Sequence, residues 1–147
     1  MSAPASPADS RQVAHSYFER LINQHDLPYV DELFDPAIAF YDPAIPGGGQ
    51  AIGLEQVRNF FTTFFTAFPD VNFVQDDFFS EGDSVAIRFT WTGTHKATFL
   101  GHAVTERHVT VPGIDIFHIA NGKIVEVRVA FDRLELIEQL AGISHPI

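Results

Sequence analysis

Two apolar runs joined by Asn121-Gly122 constrain the fold of this chain more than any other feature. Asn-Gly accepts positive φ at both central positions of a type I′ turn, so the flanking runs are expected to pair as a tight β-hairpin. The hairpin reaches back to Val109, and Asp132 to Leu140 is predicted to form a short C-terminal helix. This region carries more ionisable side chains than a hairpin that only fills a core needs: Asp115, His118, Glu126, Arg128 and Asp132.

The turn also predicts the register of the hairpin. With Asn121 and Gly122 as the loop residues, counting back along both strands places Asp115 opposite Arg128. Because side chains alternate between the faces of a strand, His118 would lie on the other face. A one-residue bulge would exchange the two faces locally. The predicted charged face holds Asp115, Phe117, Glu126, Arg128 and Asp132.

The remaining pattern predicts helices first and strands later. Leu54 to Phe68 has a broad apolar face at helical spacing and ends at Pro69, and Val85 to Trp91 alternates with a period of two. This order has no βαβ alternation, so it favours one α+β domain over residues 1–147, with helices covering one face of a curved antiparallel sheet of four or five strands. The other predicted elements are helices from Ser6-Pro7 and over Asp31–Phe34, and strands over Ile38–Tyr41, Val71–Phe79 and Gly101–Val111, the last bulged at Pro112-Gly113.

Composition excludes several functional classes. The net charge of -10 disfavours nucleic acid, and no apolar run is long enough to span a membrane. Zero cysteines exclude disulfides and thiol catalysis. The first ten residues have neither the basic nor the apolar region of a signal peptide, so we expect a cytoplasmic protein. The fifteen phenylalanines can fill a core or line an apolar cavity.

Four segments carry a resemblance to a known family: Gly93-Thr94-His95, Gly113 to Phe117, Asn121 to Glu126, and Gln139 to Gly142. They resemble the SnoaL-like polyketide cyclases of the nuclear-transport-factor-2-like superfamily. The resemblance implies a cone-shaped fold with a pocket between the concave sheet face and the helices, and a homodimer. It also implies an intramolecular aldol closure driven by an acid–base pair on the last hairpin, without metal or cofactor. The position of that family's general base is Val129 here, and its partner histidine matches Asp115.

The candidate catalytic residues are Asp115 and Arg128 as a working pair, with Asp132, His118 or His95 as proton carriers. Each has an alternative reading. Arg128 can form a cross-strand ion pair on a solvated face, and Asp132 can cap the last helix through an Asp-x-x-Glu arrangement. His118 can be a core or edge histidine, and His95 can sit at a strand end on the pocket rim. The candidate substrate-binding residues are Tyr17, Tyr41, Phe61, Phe65, Trp91 and Phe117.

No metal or cofactor is expected, because the spacing of His95, His102 and His108 matches no standard ligand motif. The leading hypothesis is a SnoaL-like enzyme that performs cofactor-independent acid/base chemistry (cyclisation, isomerisation or water addition) on a polyketide- or terpenoid-like small molecule. One alternative is an epoxide hydrolase that uses an acid–Arg–acid trio around Arg128. Another is a non-catalytic ligand-binding module.

Overall fold

A computed structural model describes residues 7–143. Helix α1 (Pro7–Ser16) starts at the predicted proline and continues as a π-helical segment, Tyr17–Ile22. Ser6, which precedes this proline in the predicted helix start, lies outside the described residues. A 3₁₀ turn (Leu27–Tyr29) leads into the short helix α2 (Val30–Leu33), and α3 (Leu54–Ala67) and α4 (Arg133–Ala141) follow later in the chain. None of the described helices is long and apolar enough to cross a membrane.

Within residues 7–143, six strands form one mixed sheet in the order β2-β1-β6-β5-β4-β3. In this part of the chain only the pairing of β1 with β6 is parallel, and all other neighbouring strands are antiparallel. The predicted α+β class is confirmed. The sheet has two features that the sequence did not predict: the end of the 42–53 loop forms β2, and β1 pairs with the last strand, β6. The strands are β1 (Phe34–Tyr41), β2 (Gln50–Ile52), β3 (Asn72–Glu81), β4 (Ser84–Thr94), β5 (His108–Ala120) and β6 (Lys123–Phe131).

The predicted hairpin register is wrong beyond the first pairs. Ile119 faces Ile124 as predicted, but the register shifts next to it, so that His118 faces Glu126 and Val125 is an extra residue in β6. This β-bulge reverses which β6 side chains face the helices. As a result, Asp115 lies opposite Val129 instead of Arg128.

β5 begins at His108, later than the predicted strand, and residues 96–107 form a loop. Pro112 and Gly113 cause no break in the β4 pairing, because they face Thr90 and Phe89 in regular register. Gly113 is needed there: a Cβ at that position would lie 2.5 Å from Phe89 Cζ and 2.8 Å from the Ala130 carbonyl oxygen. The Phe89 ring therefore lies directly over the backbone of β5.

The helices cover one face of the sheet, and aromatic rings fill the space between them. The Tyr17 ring makes edge-on contacts with Phe117 and Phe18 at centroid distances of 5.0 and 4.9 Å. Edge-to-face packing of this kind favours fixed ring orientations. The largest fully buried side chains include Phe18, Phe34, Phe40, Phe61, Phe68, Phe89 and Phe117.

Candidate functional site

A small cavity of about 30 Å³ lies between α3 and the helix-facing side of the sheet. It has room for roughly one or two water molecules. Its polar groups come from Tyr17, Asp42 and Asp115, and the rest of its wall is apolar and mostly aromatic. The apolar lining is Ala44, Phe60, Phe61, Phe64, Phe73, Phe89, Trp91, Phe99, Val129, Phe131 and Leu136. We call this space the inner cavity.

Strand register brings the two carboxyl groups together. Asp115 pairs with Val129 on one side of β6, and on the other side Tyr41 of β1 pairs in parallel with Arg128. Asp42 follows Tyr41 and is therefore level with Val129. Neighbouring strands are about 4.8 Å apart, and Val129 lies on the strand between the two acids. The backbones of Asp42 and Asp115 are therefore separated by roughly twice that spacing. Both side chains reach the inner cavity from opposite sides of Val129.

Asp115 is the most deeply buried carboxyl group at this site, with 1% of its surface exposed. Its Oδ1 atom has no hydrogen-bond partner among the described residues. Burial raises the pKa of Asp115 well above its ordinary value, and the nearby charge of Asp42 raises it further. Burial therefore favours the protonated form of Asp115, which has an O–H group that can donate to a ligand.

Asp42 is held in place by the turn that it starts. Its Oδ1 accepts a hydrogen bond from the Ala44 N–H (2.8 Å), and its own N–H donates to the Gly49 carbonyl oxygen (3.0 Å). Burial raises the pKa of Asp42 to about 6, and the bond from Ala44 opposes that rise. At neutral pH this carboxyl group is therefore mostly ionised, but it binds a proton readily.

Tyr17 supplies a third polar group. It lies at the start of the π-helical segment, which turns Tyr17, Phe18, Leu21 and Ile22 all into the core. Burial first, then the charges of Asp115 and Asp42, raise the pKa of the Tyr17 hydroxyl well above its ordinary value. The hydroxyl is consequently a neutral donor at any physiological pH.

A second, larger space of about 440 Å³ adjoins the inner cavity. We call it the outer chamber. The two spaces share Ala44, Phe60 and Phe99 as lining residues, so these three side chains stand between them. Its size is in the range of pockets that hold small organic ligands.

The model of one family, SnoaL-like polyketide cyclase, matches residues 12–140 of this chain. The chain belongs to the SnoaL-like polyketide cyclase family. The family match runs from within α1 to within α4 and includes both carboxyl groups and Tyr17.

Solved structures of other proteins share the fold. A protein named as a SnoaL-like polyketide cyclase from Jannaschia sp. CCS1 is 20% identical, with a TM-score of 0.85 over 98% of this chain and 99% of that one. TsrD from Streptomyces laurentii is 26% identical, with a TM-score of 0.79 over 92% and 97%. IdmH from Streptomyces antibioticus, named as a polyketide cyclase, is 25% identical, with a TM-score of 0.75 over 90% and 98%. No curated protein matches the chain.

Asp115 is the one sequence-predicted catalytic residue that lines the inner cavity. Arg128 lies on the opposite face of β6, where its side chain is 57% exposed. Its Nε donates to Glu126 Oε1 (3.0 Å), and its guanidinium carbon is 4.3 Å from the centroid of the Tyr41 ring. The structure therefore does not assemble the acid–Arg–acid trio, because the bulge at Val125 turns Arg128 away from Asp115.

The other predicted proton carriers also lie outside the inner cavity. Asp132 caps α4, accepting a hydrogen bond from the Glu135 N–H at 3.0 Å. His118 is exposed on the outer face, 3.0 Å from Ser84 Oγ and 3.8 Å from Glu126 Oε1. Among the described residues no group of three or more His, Asp or Glu side chains is arranged to hold a metal ion.

His95 is fully buried but belongs to the loop, not to the cavity wall. Its Nδ1 accepts from the Thr105 N–H (3.2 Å) and is 2.9 Å from Thr105 Oγ1. Its ring packs 5.6 Å from that of Phe68, and burial lowers its pKa. This histidine ties the two ends of the 96–107 loop together.

The predicted substrate-binding residues divide in a similar way. Tyr17, Phe61 and Trp91 line the inner cavity. Phe117 is buried behind Tyr17, and Phe65 is partly buried and stacks on His25. Tyr41 lies on the outer face beneath Arg128.

Sequence reasoning missed Asp42, because Asp-Pro after a strand is the ordinary pattern of a turn. It also missed the rings of Phe64, Phe73 and Phe99 as cavity lining. One signal for Asp42 was available: it directly follows a strand residue, Tyr41, and alternation places it on the face opposite to Tyr41. Using that signal required the parallel pairing of β1 with β6, which no local pattern predicts.

Proposed function

We propose that this protein is a cofactor-independent acid/base enzyme that moves a proton next to a carbonyl group of a polyketide-like substrate. The observation that carries the proposal is the pair of carboxyl groups in one apolar cavity, both with raised pKa values and with Asp115 the more deeply buried of the two. The pKa of Asp42 is about 6, and that of Asp115 is well above its ordinary value. Two titratable groups whose environments separate their pKa values can act as base and acid in the same reaction.

In this mechanism Asp42 is the general base. Its ionised carboxylate takes a proton from the carbon next to the substrate carbonyl, which is the step that a base with a pKa near the working pH performs well. The electrons of that C–H bond form the carbon–carbon double bond of an enolate, and the carbonyl π electrons move to oxygen. The Ala44 N–H holds the Asp42 carboxylate in position for this transfer.

Asp115 and Tyr17 stabilise the negative charge on the enolate oxygen. Both are neutral O–H donors, and the unpartnered Oδ1 of Asp115 indicates spare hydrogen-bonding capacity inside the cavity. Donors fixed in a dry, apolar site stabilise a developing oxyanion far more than they would in water. The enolate carbon then attacks an internal carbonyl, giving cyclisation, or takes the proton back at another position, giving isomerisation.

The inner cavity admits only the reacting end of such a substrate, and we propose that the rest lies in the outer chamber. For the carbonyl to reach Asp42 and Asp115, it must displace water and part the side chains of Phe60 and Phe99. Phe60 is partly exposed, so its ring has space to move. The enzyme is thus most active on molecules with a small ketone end and a larger body.

Proton exchange tests the proposal without knowledge of the natural substrate. A 1,3-diketone with an aromatic body, 1-(2-naphthyl)butane-1,3-dione, is incubated in D₂O, and loss of its C2 proton signal is followed by NMR. We expect exchange well above the buffer rate, reduced at least ~100-fold in Asp42→Asn. Glu126→Gln, which alters a carboxyl group on the outer face, is the matched control. Exchange at the buffer rate with the wild-type protein, or equal rates in Asp42→Asn, would refute the mechanism.

We also propose that a second copy of the chain covers the outer face of β4, β5 and β6, giving a homodimer. Ile114 and Ile116 are exposed there by 42% and 41%. The same face carries Arg128 and Glu126, so a twofold arrangement can pair opposite charges from the two copies. Light scattering after size-exclusion chromatography should give twice the chain mass for the wild type and a monomer for the double variant Ile114→Lys/Ile116→Lys.

A further inference from the structure

The loop between β4 and β5 ends in a tight turn beside the outer chamber. Phe99 and His102 exchange two backbone hydrogen bonds (3.0 and 2.9 Å), and the two residues between them, Leu100 and Gly101, both have positive φ. Because this turn is closed by its own hydrogen bonds, it can move as one piece. We call it the loop tip. The loop residues that line the outer chamber are Thr98, Phe99, Leu100 and Gly101.

Phe99 is the residue of the loop tip that lines both spaces. It borders the inner cavity as well as the outer chamber, and only 5% of its surface is exposed. Its ring centroid lies 5.2 Å from that of Phe68 and 5.9 Å from that of Phe64. Such ring contacts consist of many weak attractions, so they can break and form again when the loop tip moves. Phe99 is thus placed to open or close the passage between the two spaces.

The base of the same loop is held by hydrogen bonds to His95. The His95 N–H donates to the Arg107 carbonyl oxygen, and the His95 carbonyl oxygen accepts from the Glu106 N–H, both at 2.9 Å. The ring adds a third bond, because its Nδ1 accepts from the Thr105 N–H at 3.2 Å. One residue at the end of β4 therefore fixes the returning segment of the loop.

The His95 ring makes this bond in its neutral form. A nitrogen that accepts from a backbone N–H carries no proton, so the ring proton lies on Nε2. The Thr105 hydroxyl, 2.9 Å from Nδ1, can donate to the same nitrogen, and Thr105 Oγ1 accepts from the Arg107 N–H at 3.2 Å. Because His95 is fully buried, water does not compete for these bonds.

The ring of Phe68 connects the base of the loop to its tip. Its centroid lies 5.6 Å from that of the His95 ring and 5.2 Å from that of the Phe99 ring. His95 and Phe99 therefore pack against the same aromatic side chain at the end of α3. A change in the position of the His95 ring is transmitted to Phe99 through this contact and through the backbone of the loop.

We propose that the 96–107 loop is a gate between the outer chamber and the inner cavity, and that His95 is the positioning residue that holds it closed. With the bond to Thr105 in place, Phe99 closes the passage and keeps bulk water away from the two acids during proton transfer. The loop tip moves aside, with its base still bonded, when substrate enters and product leaves. This inference rests on the proposed function for the reaction that the gate encloses, and His95 itself touches no substrate.

Fluorescence quenching tests the gate without any substrate. Trp91, the single tryptophan of the chain, lines the inner cavity and is 5% exposed, so acrylamide reaches it more easily when the gate is open. We expect the quenching constant at pH 7.5 to rise roughly twofold in His95→Leu and in Phe99→Ala. His95→Asn should behave like wild type, because its Oδ1 can accept from the Thr105 N–H. His108→Leu, which removes an exposed histidine at the other end of the loop, is the matched control.

A double-variant cycle on proton exchange shows whether His95 acts through Phe99. We expect kcat on the diketone to fall roughly tenfold in His95→Leu and in Phe99→Ala, with KM within about threefold of wild type. The double variant should be no slower than Phe99→Ala, because the gate is already lost there. Losses that multiply to roughly 100-fold in the double variant would indicate two independent effects and overturn the inference. An equal loss in His95→Asn and His95→Leu would also overturn it.

The two measurements separate the gate from the proposed chemistry. Unchanged quenching in both His95→Leu and Phe99→Ala would refute the gate, whatever the exchange rates are. Absence of exchange in the wild-type protein would refute the catalytic proposal, and the quenching constants would still decide the gate. Thr105→Val provides a second test if His95→Leu does not fold. It removes the hydroxyl bound to Nδ1 and should raise quenching in the same direction, and quenching equal to wild type in Thr105→Val would count against the proposed role of His95.

Discussion

Asp115 and Val129 face each other across β5 and β6, and Asp42 lies on the other side of Val129 at the end of β1. The side chain between the two acids is thus an aliphatic one, at the position that the family resemblance assigns to a general base. Val129 keeps the acids apart and keeps the cavity wall between them apolar. The chemistry at this site consequently depends on groups that flank Val129, not on an acid in its place.

Val129→Asp should be strongly destabilising at neutral pH. It would add a third carboxyl group to a cavity where burial already raises the pKa of Asp42 and Asp115, and where the charge of Asp42 raises that of Asp115 further. Since the new group would also have a raised pKa, its penalty should be small near pH 4 and reach about 2–3 kcal/mol at pH 7. Urea unfolding at both pH values, with Val129→Asn as the uncharged control, measures the effect. Equal stability of the two variants at pH 7 would show that water reaches this position freely.

The pKa of Asp42 predicts how stability changes with pH. A carboxyl group whose pKa is higher in the folded state binds more protons when folded, so its contribution is fully present below its unfolded pKa and is lost as pH rises through the folded value. The difference in unfolding free energy between wild type and Asp42→Asn should therefore fall by on the order of 2–3 kcal/mol between pH 4 and pH 7, mostly below about pH 6.5. Asn keeps an oxygen that can accept from the Ala44 N–H, so the comparison isolates the titration. A difference that does not vary with pH would contradict the prediction.

The rate of proton exchange should depend on the ionisation of the Asp42 carboxyl group. With Asp42 as the base, kcat/KM for exchange of the diketone rises through about pH 6 and then levels off. At higher pH the rate falls again, because ionised Asp115 can no longer donate to the enolate oxygen. Asp115→Asn should lower kcat at least ~100-fold while leaving the rise near pH 6 in place, since an amide donates more weakly than a carboxylic acid. A rise that disappears in Asp115→Asn would assign the base to that residue instead.

Arg128→Ala should leave catalysis nearly unchanged. The guanidinium contacts the Tyr41 ring and Glu126 on the outer face, with Val129 and the sheet backbone between it and the inner cavity. We expect exchange rates within about threefold of wild type and a loss of stability below about 1 kcal/mol, as for other exposed ion pairs. Exchange slowed by ~100-fold in the folded variant, the loss typical of a missing proton carrier, would restore the trio around Arg128 as the catalytic group.

Much of the fold could be predicted from local pattern. The Asn121-Gly122 turn, the amphipathic stretch that forms α3 and the alternation in β4 each depend on residues close in sequence. The α+β class follows from their order. The parallel pairing of β1 with β6 could not be predicted, because it joins segments that are far apart in the chain and leaves no periodic signal in either.

The site could be predicted only in part for the same reason. Asp115 stands out as an acid in an otherwise apolar strand, and Tyr17 lies on the apolar face of a helix. Asp42 resembles an ordinary turn residue until β1 is paired with β6. The inward or outward direction of Arg128 depends on Val125, and nothing in the sequence around Val125 distinguishes a bulge from regular pairing.

Gly113→Ala should destabilise the fold and disturb the cavity together. The added Cβ would lie 2.5 Å from Phe89 Cζ and 2.8 Å from the Ala130 carbonyl oxygen, so the Phe89 ring must move toward the space it lines. We expect a loss of about 2–3 kcal/mol in unfolding free energy and slower proton exchange on the diketone. Gly82→Asn is the control, since a Cβ at that position meets open space and asparagine tolerates its positive φ. Stability of Gly113→Ala within 0.5 kcal/mol of wild type, roughly the range of an inconsequential surface change, would contradict the close approach.

The extra residue at Val125 also bears on how relatives with this fold could come to differ in activity. Val125 and Glu126 together lie opposite His118, and this one extra residue places Val127, Val129 and Phe131 on the side that faces the helices. A further residue inserted after Val127, with regular pairing on either side of it, would place Arg128 opposite Asp115 and send Val129 and Phe131 to the surface. Insertion of a single codon could therefore replace a whole row of cavity contacts in one genetic event, with every original amino acid still in the gene.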